Sequence, residues 1–194
     1  MKQDIFRRSR SDKIWLKNAW KLTKIAVITL IIFIGVREYL FADYVVDGRS
    51  MMPTVNDGDR VIVNKISYEW EDPERFDMII FPVDHETDYI KRVVGLPGDE
   101  IKFENDELYV NGELIDEPHL EDLKQLSLEE SFTEDFTLSD LTGEEEVPEG
   151  ELFVLGDNRQ NSVDSRHIGF INKDLVIGEA DITVWPMNKI GFLP

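Results

Sequence analysis

Between Ile25 and Val36 the chain reads IAVITLIIFIGV, apolar at every position except Thr29. It is the strongest apolar run in the sequence, and it must be buried in protein or in lipid. A helix needs roughly 20 apolar residues to cross a bilayer. The run reaches that length as Leu22–Ala42, with Lys24 at one end and Arg37 and Glu38 near the other. Such residues are accommodated at the two interfaces, where a lysine stem extends its ammonium toward water. Trp15, Trp20, Tyr39 and Tyr44 add interfacial aromatics on both sides. A cleaved leader is the competing reading. Leu40-Phe41-Ala42 is a poor small-x-small site, however, and Arg37-Glu38 interrupts the approach to it.

Charge orients the span. Residues 1–24 carry eight basic side chains against Asp4 and Asp12, a net of +6. The total is −19, so residues 25–194 carry −25. Positive residues stay on the cytoplasmic side. We therefore expect a cytoplasmic basic tail at 1–21, a transmembrane anchor at 22–42 and an extracytoplasmic domain at 43–194. An acidic body is repelled by phosphate, which excludes nucleic acid as a partner. There is no cysteine, hence no disulfide, thiol nucleophile or thiolate metal site. His85, His119 and His167 show no metal-ligand spacing, and no metal or other cofactor is expected.

Shortly after the apolar run comes Asp47-Gly48-Arg49-Ser50-Met51-Met52-Pro53-Thr54. Gly48 frees the backbone before the serine and Pro53 restricts it after. A serine so placed is held in one exposed geometry, as a nucleophile requires. Taken alone, Gly-x-Ser is an ordinary turn. Met51, Met52, Phe41 and Tyr44 are expected to form an apolar rim beside it.

The remainder reads as strands. Arg60–Lys65, Met78–Phe81, Glu100–Phe103, Glu107–Val110, Glu151–Leu155 and Leu175–Trp185 are short β-runs, and Asn111-Gly112 makes a tight hairpin into 113–115. Asp88–Gly95 reads DYIKRVVG, apolar on both faces apart from Lys91 and Arg92, which predicts a strand buried on both sides. A lysine there is costly unless neutral or paired. Residues 117–150 hold twelve acidic side chains against Lys124, with sparse apolar positions, and are expected to form a loosely packed excursion. Gly156–Arg166 reads GDNRQNSVDSR, polar at almost every position.

Four blocks in this order, GRSMMPT at 48–54, DGDRVIVNK at 57–65, YIKRVVGLPGD at 89–99 and GDNRQNSVDSR at 156–166, resemble the type I signal peptidases, in their Gram-positive-like form with a single anchor. The resemblance implies a mainly β outer domain behind one N-terminal transmembrane helix. It implies a membrane serine endopeptidase that removes signal peptides from secretory preproteins after Ala-x-Ala-like sites, working as a monomer at the bilayer through an acyl-enzyme. Ser50 aligns with the nucleophile and Lys91 with the general base. Ser162 aligns with the serine that hydrogen-bonds the lysine amine, and Asp164 with Arg166 as an ion pair bracing that loop. Asp157, Asn158, Arg159 and Arg92 match supporting positions. Gly48 stands where some members carry a serine that donates to the oxyanion, so that side-chain donor is absent.

The residues themselves support the lysine. Burial beside Tyr89 and Val93 disfavours the ammonium, and a base must be neutral at working pH. Two other readings remain at this point. One is a hydrolase using Ser50 with a histidine base such as His167, and the other is an anchored binding domain in which Lys91 pairs structurally with Asp164.

Overall fold

In the computed structural model, residues 3–126 and 131–194 are described. The chain divides into two units, Met1–Leu40 and Phe41–Pro194. The first is a single helix, α1 (Gln3–Leu40). Within it, Trp15–Arg37 is long and apolar enough to cross a membrane, with a mean hydropathy of 1.9 and none of that window buried against protein. Helix gives way to strand at Phe41, so Phe41 and Ala42 lie in β1 (Phe41–Val45) and not in the apolar helix.

The second unit is built from antiparallel strands in two sheets. The larger has the order β1-β2-β11-β3-β4-β9-β10, with β12 also paired to β11. Its strands are β2 (Arg60–Asn64), β3 (Met78–Pro82), β4 (Asp88–Gly95), β9 (Glu151–Leu155), β10 (Ile171–Asn172), β11 (Gly178–Trp185) and β12 (Gly191–Phe192). The smaller sheet has the order β7-β6-β5-β8, formed by β5 (Ile101–Glu104), β6 (Glu107–Val110), β7 (Glu113–Ile115) and β8 (Phe136–Thr137). Short helices α2 (Ser67–Trp70), α3 (Glu121–Leu126), α4 (Leu138–Thr142) and α5 (Ser165–Ile168) join them.

Alternation along the central strands explains why there are several cores. Ile79 and Phe81 of β3 pack with Val93 of β4 and Val154 of β9 on one face. Met78 and Ile80, one residue out of phase, pack on the other face with Val61, Val63 and Met51. Val94 of β4 faces a third cluster with Phe103, Phe136 and Phe153 beneath the small sheet. Strand β4 is therefore covered on both sides, as its apolar pattern predicts. Hairpin β6–β7 turns at Asn111 and Gly112, whose φ values of 53° and 79° are the left-handed pair that a two-residue turn demands.

The acidic segment departs from expectation. Leu120, Phe132, Phe136, Leu138 and Val147 are buried, and α4 begins in a capping box between Thr137 and Asp140. Outside residues 127–130, which are not among the described residues, the segment contributes packed side chains to the small sheet's core and is not a loose excursion. Most of its described acidic side chains are exposed, Glu117 being buried, while Phe136, Leu138 and Val147, spaced apart in sequence, reach one cluster. Met51 is likewise a correction: it is 1% exposed in the core and forms no rim.

Strands β2 and β11 approach closely at Gly178, where an added Cβ would lie 2.2 Å from the Asn64 carbonyl oxygen. We expect Gly178→Ala to lower stability by about 1–3 kcal/mol, since backbone must move to admit the methyl. Gly191→Ala, where a Cβ meets nothing within 4 Å, should be near neutral. Equal thermal midpoints for the two variants would contradict this.

Candidate active site

Ser50 follows Gly48, whose φ of 108° is a conformation that glycine adopts freely. The Gly48 N–H donates to Asp57 Oδ1 at 3.0 Å, fixing the loop. On the other side of Ser50, the buried Met51 plugs the core. The serine is thus held between a tied backbone and an anchored side chain.

Lys91 comes from the middle of β4. Its Nζ lies 2.8 Å from Ser50 Oγ and 2.9 Å from the Ile90 carbonyl oxygen. It also sits over the Tyr89 ring at 4.7 Å from the centroid. The side chain is almost wholly buried. Burial pushes its pKa down to about 8, against the opposing pull of the Asp164 and Asp157 carboxylates. Desolvation prevails because neither carboxylate is available as a close partner. Asp164 accepts from Gly156 N at 3.0 Å and from Arg166 Nε and Nη2 at 2.9 Å each. Asp157 takes a bidentate grip from Arg92, at 2.8 Å from Nε and 2.7 Å from Nη2. The reading of Lys91 as an ion-pair partner of Asp164 is therefore not favoured.

Neighbouring Lys91, Arg92 points to the other face of β4 and pairs with Asp157 there. Burial alone would raise the Asp157 carboxyl, but the Arg92 hydrogen bonds and charge hold it below its ordinary range. Thr54 Oγ1 also donates to Asp157 Oδ2 at 2.6 Å. The Asn158 N–H donates to the Ser50 carbonyl at 2.9 Å, and its side-chain amide to the Arg49 carbonyl at 3.0 Å. The loop 156–166 thus grips both the serine turn and β4.

Ser162 departs from expectation. The structure gives its hydroxyl no hydrogen bond to Lys91; the buried Ser162 Oγ instead turns toward Asp164 and helps hold that carboxyl below its ordinary range. It lies against Gly156, where an added Cβ would be 2.2 Å from Ser162 Oγ and 2.5 Å from the Ser50 carbonyl oxygen. Gly156 is the residue that sequence reasoning missed. Its signal was the glycine opening the polar block, and only the three-dimensional approach of Ser50 and Ser162 explains it.

The histidines stand apart from Ser50. His119 is buried, with Nε2 3.9 Å from Asp157 Oδ1. Its pKa is pushed down to about 4 by burial and the Arg92 charge. His85 is exposed. His167 Nδ1 lies 4.0 Å from Asp164 Oδ1. No group of three or more histidine, aspartate or glutamate side chains suited to a metal occurs among the described residues.

Ser50 and Lys91 open onto a cleft of about 340 Å³. Its walls are two stretches of chain, Tyr44–Ser50 and Thr87–Lys91, with Asn161 and Val163 at one side. The Tyr44 hydroxyl donates to Asp88 Oδ2 at 3.0 Å between those walls. Burial and that carboxylate push the Tyr44 pKa up to about 12.

Residues 19–185 match the family described as signal peptidase, peptidase S26. The chain belongs to this family. Signal peptidase I of Bacillus caldolyticus is 49% identical over 156 residues, covering 80% of this chain and 86% of the relative. Signal peptidase I V of Bacillus subtilis is 43% identical over 162 residues, covering 84% and 95%. The crystal structure of a signal peptidase I from Enterococcus faecalis superimposes with a TM-score of 0.53 at 42% identity, covering 56% of this chain and 97% of that one. The chain is accordingly a signal peptidase serine protease with the mainly β fold of that family, and its apolar helix fits a membrane-anchored member.

Gly156→Ala should cut peptidase activity by about 100-fold or more, since a shift of about 1 Å at a reacting group has that effect. Thermal unfolding measured alongside activity separates this from collapse of the fold. Activity within a few-fold of the parent would remove Gly156 from the site.

Proposed function

We propose that the chain cleaves secretory preproteins after small-x-small sites through a Ser50–Lys91 dyad and an acyl-enzyme. The observation that carries this reading is the 2.8 Å separation of Lys91 Nζ and Ser50 Oγ, with no carboxylate paired to the amine. In its neutral form Lys91 takes the Ser50 proton as Oγ attacks the scissile carbonyl. The resulting ammonium gives that proton to the leaving amine, and the neutral amine then activates water to hydrolyse the ester. The Ser50 N–H is positioned on the nucleophile itself to meet the developing oxyanion. The Gly48 N–H is already engaged by Asp57, and glycine offers no side-chain donor. Ser162, Asp164, Arg166, Asp157 and Arg92 act by holding the amine's surroundings in place.

The cleft fits an extended peptide. One wall is the first half of β4 and the other leaves β1 at Val45 and turns at Gly48–Ser50, so an extended substrate laid along β4 meets its main-chain groups. No organic cofactor or metal has a role in this scheme, and the enzyme works as a monomer on the bilayer.

The pH profile follows from the lysine. Its pKa of about 8 in the folded protein means that the amine is protonated at lower pH. The value of kcat/KM should fall about tenfold per pH unit below that midpoint and level off above it. Lys91→Arg and Ser50→Ala should each lower turnover of an Ala-x-Ala preprotein by about 1000-fold or more. Alanine at His85, His119 or His167 should leave most of it. Near-normal turnover by Lys91→Arg would falsify the dyad and return His167 to consideration.

The +6 tail of residues 1–24 gives the orientation: amino terminus cytoplasmic, catalytic unit outside. Protease added to intact protoplasts should digest the catalytic unit and spare a tag at Met1. Loss of the tag with survival of the catalytic unit reverses the assignment.

A further inference from the structure

The acidic segment meets the site loop at Arg159, a side chain only 2% exposed. Its guanidinium is fully engaged. Nη2 pairs with Glu117 Oε1, Nη1 donates to Thr133 Oγ1 at 3.2 Å, and Nε donates to the Gly156 carbonyl at 3.1 Å. The plane lies over the Phe103 ring of the small sheet at 5.2 Å. The Arg159 carbonyl accepts from Arg166 Nη2 at 2.7 Å, and Arg166 holds Asp164. Glu117 is buried in turn, and Lys124 of α3 reaches it at 3.1 Å while also donating to the Asp106 carbonyl at 2.6 Å.

We infer that Glu117 is a positioning residue for the catalytic centre: acting through Arg159, it holds Gly156 and the loop behind it in the geometry that keeps Lys91 buried beside Ser50. This rests on the dyad reading above. A buried ion pair is a weak source of stability, since an apolar pair of similar volume often serves as well or better. What it supplies is direction. The guanidinium fork is planar and rigid, so fixing one edge on Glu117 and Thr133 fixes where Nε points. Nε points at the Gly156 carbonyl, and Gly156 has no room to move. A methyl on its Cα would meet both Ser162 Oγ and the Ser50 carbonyl oxygen. A tilt of the loop about Arg159 therefore reaches the nucleophile within one residue.

The charged and polar groups around the two ends are defined. Lys91 is faced by Asp164 and Asp157 from the site loop, by the Tyr89 ring from its own strand and by Ser50. Glu117 is faced by Arg159 and Lys124, and its charge also acts on His119. Burial alone would raise the Glu117 carboxyl, but Arg159 and Lys124 hold it below its ordinary range, so it is ionised where the enzyme works.

The experiment uses the full chain in detergent with an Ala-x-Ala peptide. It compares Glu117→Gln, which keeps the shape and removes the charge, with Thr133→Val, which leaves the ion pair and removes one acceptor. Thermal unfolding, kcat, KM and the pH–rate profile are measured for each. We expect Glu117→Gln to lower kcat about tenfold or more with little change in KM, as misplacement of a reacting group does. The acid limb should move to higher pH, because a loosened loop admits water to Lys91 and restores its ammonium. Thr133→Val should shift both quantities the same way by less. Glu104→Gln, on the exposed end of β5, should change neither.

A folded Glu117→Gln enzyme with parental kcat and an unmoved acid limb overturns the inference. So does a loss of activity that only follows the folded fraction. If Glu117→Gln does not fold, Thr133→Val decides by the same two measurements. Lys91→Arg in the same assay separates the two levels. An inactive Lys91→Arg with an unaltered Glu117→Gln overturns the positioning role alone. An active Lys91→Arg overturns the dyad and this inference with it.

Discussion

Two cations lie side by side on one buried strand and meet opposite fates. Arg92 faces a carboxylate that accepts from its Nε and Nη2, at 2.8 and 2.7 Å, as a close ion pair. Lys91 faces a serine hydroxyl and a carbonyl at 2.8 and 2.9 Å, and it is driven toward neutrality. The difference rests on the Arg92–Asp157 pair. Were Asp157 released from Arg92, its charge would be free to reach toward Lys91 and stabilise the ammonium. Breaking a buried pair of this kind costs about 3–5 kcal/mol in other proteins. The same pair joins β4 to the polar loop, and Thr54 joins both to the serine turn. The proposed chemistry at Ser50 thus depends on a bond in which neither Ser50 nor Lys91 takes part.

The small sheet has a comparable part at one remove. Its core receives apolar residues from the acidic segment, and its Phe103 supports the Arg159 guanidinium. The larger sheet supplies Lys91, the turn leaving its first strand supplies Ser50, and the smaller sheet braces the loop beside them. Acidic side chains on the outside of segment 117–150 leave this internal contact untouched, because Glu117 is the one turned inward against a cation.

Much of this was legible in the residues. DYIKRVVG carries apolar residues on both faces, so a strand covered on both sides follows, and with it the displaced pKa of the lysine it contains. Asn111-Gly112 specifies its own turn. What was not legible depends on contacts across long separations. Phe136, Leu138 and Val147 have no common period, so nothing local marks them as one core surface. Gly156 looks like any glycine opening a loop until Ser50 and Ser162 are seen on either side of it. Met51 follows the nucleophile in a run that reads as exposed, yet it packs into the core because the serine turn folds back over β2 and β3. Ser162 shows the reverse case: its burial is clear in the structure, while the bond to Lys91 implied by the resemblance is not formed there.

The wiring of the site also imposes an order in time. Thr54 and Asp157 are 103 residues apart in the chain, and Arg92 and Asp157 are 65 apart. Chains dominated by such distant contacts close them late, after local hairpins have formed. The serine turn and the lysine strand both precede the loop that orients them, so under the proposed dyad a nascent chain lacking Gly156–Arg166 holds Ser50 and Lys91 without that support. On that reading the protease is silent until roughly the last fifth of the chain, from residue 156 on, has docked.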